Sequence, residues 1–216
     1  SGPSIAFTPG TFAHGASIGT GDGPHDHFVM KFEGGIQATY TDARRFGYVH
    51  LIEPNDVGND PFLRVLGPDP LDSIFDAKVL ADRLRGRRTP MKSALLDQST
   101  VAGLGNIYVS EILHRAGVSP RRAAMTLVRK DGSPTARLER IVSETRVVLK
   151  QAIEAGGSTL QDFRGVAGED EVGWFPVNFT VYGREGELCK NEACSDTIQR
   201  IVQSNRSTFF CPSCQR

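Results

Sequence analysis

Two periods share this chain. Along HFVMKFEGGIQATYTDARRFGYVHLI, from His27 to Ile52, apolar and polar side chains alternate on either side of Gly34-Gly35. A period of two sends successive side chains to opposite faces of a strand, so the stretch predicts a β-hairpin continuing into a third strand. Residues 1 to about 24 are rich in Gly, Ser, Thr and Pro without a period and predict loop, or a severed sheet edge. From Leu71 the period lengthens. Ile74, Phe75, Val79, Leu80 and Leu84 recur at helical spacing, as do Leu95 and Leu96, then Ile107, Val109, Ile112 and Leu113. Leu138, Ile141, Val142, Val148, Leu149 and Ile153 continue the pattern, so the middle of the chain predicts four helices or more. After Gly156-Gly157 short strands are expected again, with Phe179, Val181 and Tyr182 leading into the last segment. The class is therefore α+β, with boundaries expected at 1–70, 71–160 and 161–216.

Composition narrows this picture only modestly. A chain of 216 residues, 39% hydrophobic and 23% charged, suits a soluble protein of one to three modules. No run approaches the roughly 18 apolar residues of a membrane helix, so no membrane association is expected and the default location is the cytoplasm. With 25 basic and 25 acidic residues the formal net charge is zero, which offers no global argument for nucleic acid. The charge is segregated, however. Arg44-Arg45, then Arg83, Arg85, Arg87, Arg88 and Lys92, then Arg121-Arg122 are basic clusters, and Glu169-Asp170-Glu171 is acidic. Each cluster alone reads as a solvated surface; together they allow one basic face.

The cysteines change the picture most. All four, Cys189, Cys194, Cys211 and Cys214, fall in the last 28 residues, spaced C-x4-C, sixteen residues, C-x2-C. Two close pairs separated by a hairpin-length insert enclose a tetrahedral Zn²⁺, and one structural zinc per chain is expected. Two disulfides are the alternative. A second informative stretch is DQSTVAGLGNIYVSEIL, where Gly103 and Gly105 break the chain between helices and Asn106 suits the cap of a helix starting at Ile107. Glycines at a helix start leave backbone N–H groups at the positive end of a dipole, which is a phosphate seat; a plain tight turn reads equally well there.

These segments carry a resemblance. MKSALLDQSTVAGLGNIYVSEILHRAGVSP resembles the helix-two-turns-helix segment of the formamidopyrimidine-DNA glycosylase and endonuclease VIII family. TDARRFG, GGSTLQDF, VYGREGELC and a final FFCPSCQR resemble the same family in the same order, over about residues 25 to 216. The resemblance implies a partial N-terminal β-sheet left from a β-sandwich, a helix-two-turns-helix domain and a β-hairpin zinc finger. It implies a bacterial base-excision glycosylase with AP-lyase activity on oxidised purines such as 8-oxoguanine and formamidopyrimidines. Damaged double-stranded DNA would be the partner, bound by a monomer. By the same resemblance Lys92, Asn106 and Tyr108 would sit at phosphates. Arg206, in the hairpin turn Ser204-Asn205-Arg206-Ser207, would flank the extruded nucleotide and take part in a late elimination step. His25, Arg44, Arg87 and Tyr182 would also meet DNA. Arg44 would fill the void left by the flipped base, Phe46 would wedge between bases, and Arg45 would face phosphate or a structural carboxylate. RGVAGEDEVGWF has the length and glycine content of a flap over the base, which favours the oxidised-purine branch.

The family's nucleophile is an N-terminal proline followed by a glutamate, with a lysine upstream for β-elimination. In Ser1-Gly2-Pro3-Ser4 the proline is internal and no carboxylate follows it. The expectation is therefore the DNA-gripping part of a longer enzyme, inactive by itself. A non-catalytic zinc-containing module for damaged DNA, or a glycosylase for oxidised pyrimidines, are the other readings.

Overall fold

The computed structural model describes residues 4–7, 23, 24, 26–31, 33, 37–41, 45, 49–155 and 179–216. They belong to two compact units, Ser1–Arg64 with Ala155–Pro176, and Val65–Glu154 with Val177–Arg216. The helical middle and the cysteine segment fall in the second of these units.

In the first unit, β2 (Asp26–Lys31) and β3 (Gln37–Thr41) form the expected antiparallel hairpin, with Lys31 opposite Gln37 and an irregularity between Asp26 and Phe28. The expected third strand exists as β4 (Val49–Ile52), but it does not extend that hairpin. It pairs antiparallel with β1 (Ser4–Phe7), Ser4 opposite Ile52 and Phe7 opposite Val49. Part of the segment expected as loop is therefore strand. Four residues between Gly- and Pro-rich stretches are too short to show a period, and their ladder partner lies more than forty residues away. Asp60 closes the following turn by accepting from the N–H groups of Phe62 at 2.9 Å and Leu63 at 3.0 Å, and its other oxygen faces His50 Nε2 at 3.1 Å.

The second unit is built on four helices: α1 (Ala77–Leu84), α2 (Met91–Leu96), α3 (Asn106–Arg115) and α4 (Ala136–Glu154). Asp76 caps α1, its carboxylate accepting from Val79 N–H at 2.7 Å. Each of α1, α2 and α4 buries one stripe, for example Leu80, Ala81 and Leu84, or Leu138, Ile141, Val142, Thr145 and Val148. In α3 six consecutive residues, Val109 to His114, are buried, which makes it the central helix. It packs on α2 and α4 and on the hairpin of β5 (Gln199–Gln203) and β6 (Arg206–Phe210).

The turn from α2 to α3 is tightly braced. Gln98 donates from Nε2 to the carbonyls of Leu96 and Leu104, and its Oε1 accepts from Gly103 N–H at 2.8 Å. Gly103, at φ +78°, supplies the left-handed residue this reversal needs. Gly67 lies against the same turn. Its N–H reaches Gln98 O at 2.7 Å, and a Cβ there would stand 2.7 Å from the Thr100 carbonyl.

Phe179 to Tyr182, expected as strand, forms no ladder. The N–H groups of Thr180, Val181 and Tyr182 all donate to the Glu111 carboxylate instead, at 2.8, 3.0 and 2.8 Å. The loop is hung on a side chain of α3.

Candidate nucleic-acid interface and metal centre

Four thiols meet at the root of the β5–β6 hairpin. The sulfurs of Cys189, Cys194, Cys211 and Cys214 lie within 4.8 Å of one another, with Cys189 and Cys214 at 3.8 Å and Cys194 and Cys211 at 3.6 Å. A disulfide would bring two of them to about 2 Å, so the disulfide alternative does not describe this arrangement. Four sulfurs about 2.3 Å from a tetrahedral centre are separated by roughly 3.8 Å along each edge. The donor set thus has the chemistry and span of a structural zinc site. Burial and the neighbouring thiols push the Cys214 thiol up, and burial raises Cys211, while the Asp196 backbone N–H and then Cys214 lower Cys194. Such a cluster needs a cation before its members ionise together. Its walls are Val181, Ile198 and Phe209.

At the other end of the hairpin three elements converge. Ser204 and Asn205, at φ +50° and +56°, form the two-residue turn, a conformation whose twist matches the flanking strands. Arg206 accordingly opens β6 opposite Gln203 instead of sitting at the tip, and it is exposed. The Ser207 carbonyl accepts from both Lys92 Nζ at 2.9 Å and Asn106 Nδ2 at 3.1 Å. Lys92 also donates to Thr208 Oγ1 at 2.6 Å, and the hydroxyls of Ser93 and Ser204 meet at 2.9 Å. The start of α2, the start of α3 and the hairpin turn are thereby fixed around one carbonyl.

The expected site residues fare differently in this geometry. Asn106 is not the cap of α3 but its first residue; Gly105 is the cap and makes no side-chain bond to that helix start. Asn106 is turned to the hairpin by its bond to Ser207. Lys92, expected as an open phosphate contact, is 0% exposed, and burial first, then the charge of Arg206, lower its pKa to about 8. A lysine beside arginines in sequence reads as surface, whereas here a hairpin more than a hundred residues later lies over it. Arg87 pairs with Asp97 at 2.7 Å and keeps about a third of its side chain exposed. Tyr108 is half-buried, and the half-buried ring of Tyr182 packs edge-on against Phe179 and Phe209, with centroids at 5.7 and 5.1 Å. Arg45 is exposed in the left-handed region, at φ +54°. Of the basic pair Arg121-Arg122, Arg121 stacks over Phe210 at 5.0 Å and Arg122 reaches the Arg216 carbonyl. His25, Arg44, Phe46 and the flap segment RGVAGEDEVGWF lie outside the described residues.

Sequence reasoning missed Glu111, His114 and Thr180. Glu111 is fully buried and takes four donors, the fourth being Thr180 Oγ1 at 2.6 Å. The available signal was a Glu and a His three residues apart among the apolar positions Val109, Ile112 and Leu113 of α3.

A four-helix unit with a two-helix reversal at one end of a hairpin and a four-cysteine cluster at the other defines a helix-two-turns-helix protein with a zinc-finger fold. Comparisons with known proteins agree. Residues 66–164 match the formamidopyrimidine-DNA glycosylase H2TH domain, and residues 186–216 match a zinc finger found in FPG and IleRS. The formamidopyrimidine-DNA glycosylase of Azorhizobium caulinodans is 54% identical over 194 residues, 90% of this chain and 66% of its own length. That of Rhodopseudomonas palustris strain BisB18 is 48% identical over 96% of this chain and 69% of its own length. The chain belongs to the formamidopyrimidine-DNA glycosylase family. It spans about two thirds of the length of these relatives. Among solved structures, the MutM (Fpg) protein of Thermus thermophilus is similar with a TM-score of 0.80 and 35% identity, over 98% of this chain and 75% of that one. A Lactococcus lactis Fpg mutant in complex with a Fapy-dG containing DNA gives a TM-score of 0.78 and 30% identity, over 99% and 72%.

Proposed function

We propose that this chain is the DNA-gripping part of a base-excision glycosylase and AP lyase for oxidised purines in duplex DNA, with one structural Zn²⁺ held by Cys189, Cys194, Cys211 and Cys214. The observation that carries the reading is the convergence of α2, α3 and the hairpin turn on the Ser207 carbonyl. It sets the start of α3, which has no side-chain cap, beside exposed Arg206, and N–H groups at a helix start together with a guanidinium suit consecutive phosphates. Lys92 acts from beneath, bracing the hairpin and adding its charge to the potential at Arg206. Asn106, Tyr108, Arg206 and the exposed part of Arg87 are the proposed DNA contacts among the described residues, and Arg206 is the proposed participant in elimination. The lesion class is supported by the names of the relatives and by the Fapy-dG containing DNA bound to the Lactococcus lactis protein. Zinc binding would draw the four thiolates together and stabilise the hairpin root.

No residue pair here matches the family's proline and glutamate, so the 216 residues by themselves are expected to bind DNA without excising a base. Fluorescence anisotropy on a labelled duplex bearing an abasic-site analogue tests the binding face. Arg206→Ala should weaken binding and lower the salt slope by about one unit, the share of a single phosphate contact. Unchanged affinity and slope in both Arg206→Ala and Asn106→Ala would place the DNA on another face. A borohydride-stable adduct of the 216-residue chain with an 8-oxoguanine duplex would overturn the non-excising reading.

A further inference from the structure

We propose that His114 is a positioning residue for the metal centre: its Nε2–H holds the Cys189 thiolate, with Nδ1 turned to the Thr180 hydroxyl. The proposal rests on the reading of the cysteine cluster as a zinc site.

His114 stands in the last turn of α3, buried, with Nε2 3.3 Å from Cys189 Sγ and Nδ1 2.9 Å from Thr180 Oγ1. Thr180 Oγ1 in turn lies 2.6 Å from Glu111 Oε2. The chain of contacts runs from a buried carboxylate through a hydroxyl and an imidazole to a thiol. Asn191 also reaches a sulfur, that of Cys214 at 3.4 Å, but it comes from within the cysteine segment. His114 comes from a helix 75 residues earlier.

The donors can be assigned by elimination. A neutral imidazole has one N–H and one lone pair, and a metal-bound thiolate has no proton. With zinc in place Nε2 must therefore donate to Cys189, and Nδ1 must accept from the Thr180 hydroxyl. With the metal absent, the Cys189 thiol can donate to Nε2. Nδ1 then carries the ring proton and donates to Thr180, whose hydroxyl turns to Glu111. Loading the metal thus sends one proton from Cys189 to solvent, exchanges the ring proton from Nδ1 to Nε2 and rotates one hydroxyl. In the structure that hydroxyl donates to Glu111 Oε2 at 2.6 Å, the metal-free arrangement; in the loaded one Glu111 loses this bond, the two oxygens draw apart, and the backbone donors of Thr180, Val181 and Tyr182 remain. The relay can switch without dismantling the loop. One helix consequently touches the hairpin at both ends, through Asn106 at the tip and His114 at the root, about 12 Å apart at the rise of a helix.

The test uses the zinc-loaded chain, His114→Phe, which fills the volume without an N–H, and His114→Gln, which can present an amide N–H to the sulfur. Zinc transfer to a chromogenic chelator should be about 10–100-fold faster in His114→Phe, the usual effect of removing a hydrogen bond behind a metal ligand, with His114→Gln in between. After replacement of zinc by Co²⁺, the sulfur-to-metal charge-transfer band should move to lower energy in His114→Phe and partly recover in His114→Gln. Nitrogen-15 NMR of the wild-type zinc form should place the ring proton on Nε2. Wild-type release rates with an unmoved cobalt band in His114→Phe would overturn the proposal, as would a ring proton on Nδ1. Should His114→Phe not fold, the wild-type tautomer decides alone. A wild-type chain that takes up no zinc would instead refute the metal reading beneath it.

Discussion

Glu111→Gln isolates the contact on which the loop into the zinc finger hangs. The carboxylate is fully buried and accepts four donors, Thr180 N–H and Oγ–H on one oxygen and the N–H groups of Val181 and Tyr182 on the other. Glutamine has the same shape but only one acceptor oxygen. Turned toward Val181 and Tyr182, that oxygen keeps two bonds in weaker, neutral form, and the amide NH₂ then faces the Thr180 N–H. The hydroxyl of Thr180 can rotate to accept from the amide; the backbone N–H cannot. One buried N–H left without an acceptor costs about 1–3 kcal/mol, and the loss of charge from two further bonds costs roughly 1 kcal/mol each. The sum is about 3–5 kcal/mol, or a drop of roughly 6–20 °C in the melting point of a protein this size. Thermal unfolding followed by circular dichroism, with zinc release monitored in parallel, measures it, and the two signals should fall together. A Glu111→Gln variant within about 0.5 kcal/mol of wild type, the range of an inconsequential surface change, would show that the loop is held by something other than this carboxylate.

Other consequences can be checked independently. The buried Lys92, with its pKa lowered to about 8 from 10.5, binds fewer protons folded than unfolded between those values. Its destabilising charge is fully present below pH 8, and stability relative to Lys92→Met should rise from pH 8 to 10.5 by up to about 1.4 kcal/mol per unit; a flat difference in urea titrations would refute the shift. Gly67→Ala would drive a Cβ to within 2.7 Å of the Thr100 carbonyl, so it should displace the Gln98–Thr100 turn at a cost of about 1–3 kcal/mol. Ordinary stability for that variant would contradict the packing. Stripping zinc with a strong chelator should release one metal per chain and lower the melting point, and metal analysis finding none in untreated protein would refute the site.

What was legible in the sequence was what is local. The strand alternation of β2 and β3, the helical spacing of α1 to α4 and the paired cysteines all report contacts between near neighbours. The pairing of β1 with β4 did not show, because nothing in SIAF names its partner. Lys92 read as an exposed charge among arginines because its burial depends on β6. Asn106 read as a cap because asparagine is among the residues preferred there, just before a helical run; the competing acceptor, Ser207 O, lies 101 residues on. A separation of 70 and 71 residues likewise hid the strand that Phe179–Tyr182 does not form, since Glu111 supplies acceptors to Val181 and Tyr182 that a neighbouring strand would have offered.

The β5–β6 ribbon is fastened twice. Two strands alone are marginal in water. Here one end is tied to α2 and α3 by Lys92, Ser93 and Asn106, and the other by the cysteine cluster and by Gln215, whose amide donates to Val118 O at 2.9 Å. Detaching either end leaves the other as a tether, so a chain stripped of its metal would keep the ribbon beside the helices and find its register again without a search. Amide hydrogens between Ser207 and Phe210 would then exchange by a slow joint release in the loaded protein and by a one-ended peel in the stripped one, fastest toward Cys211.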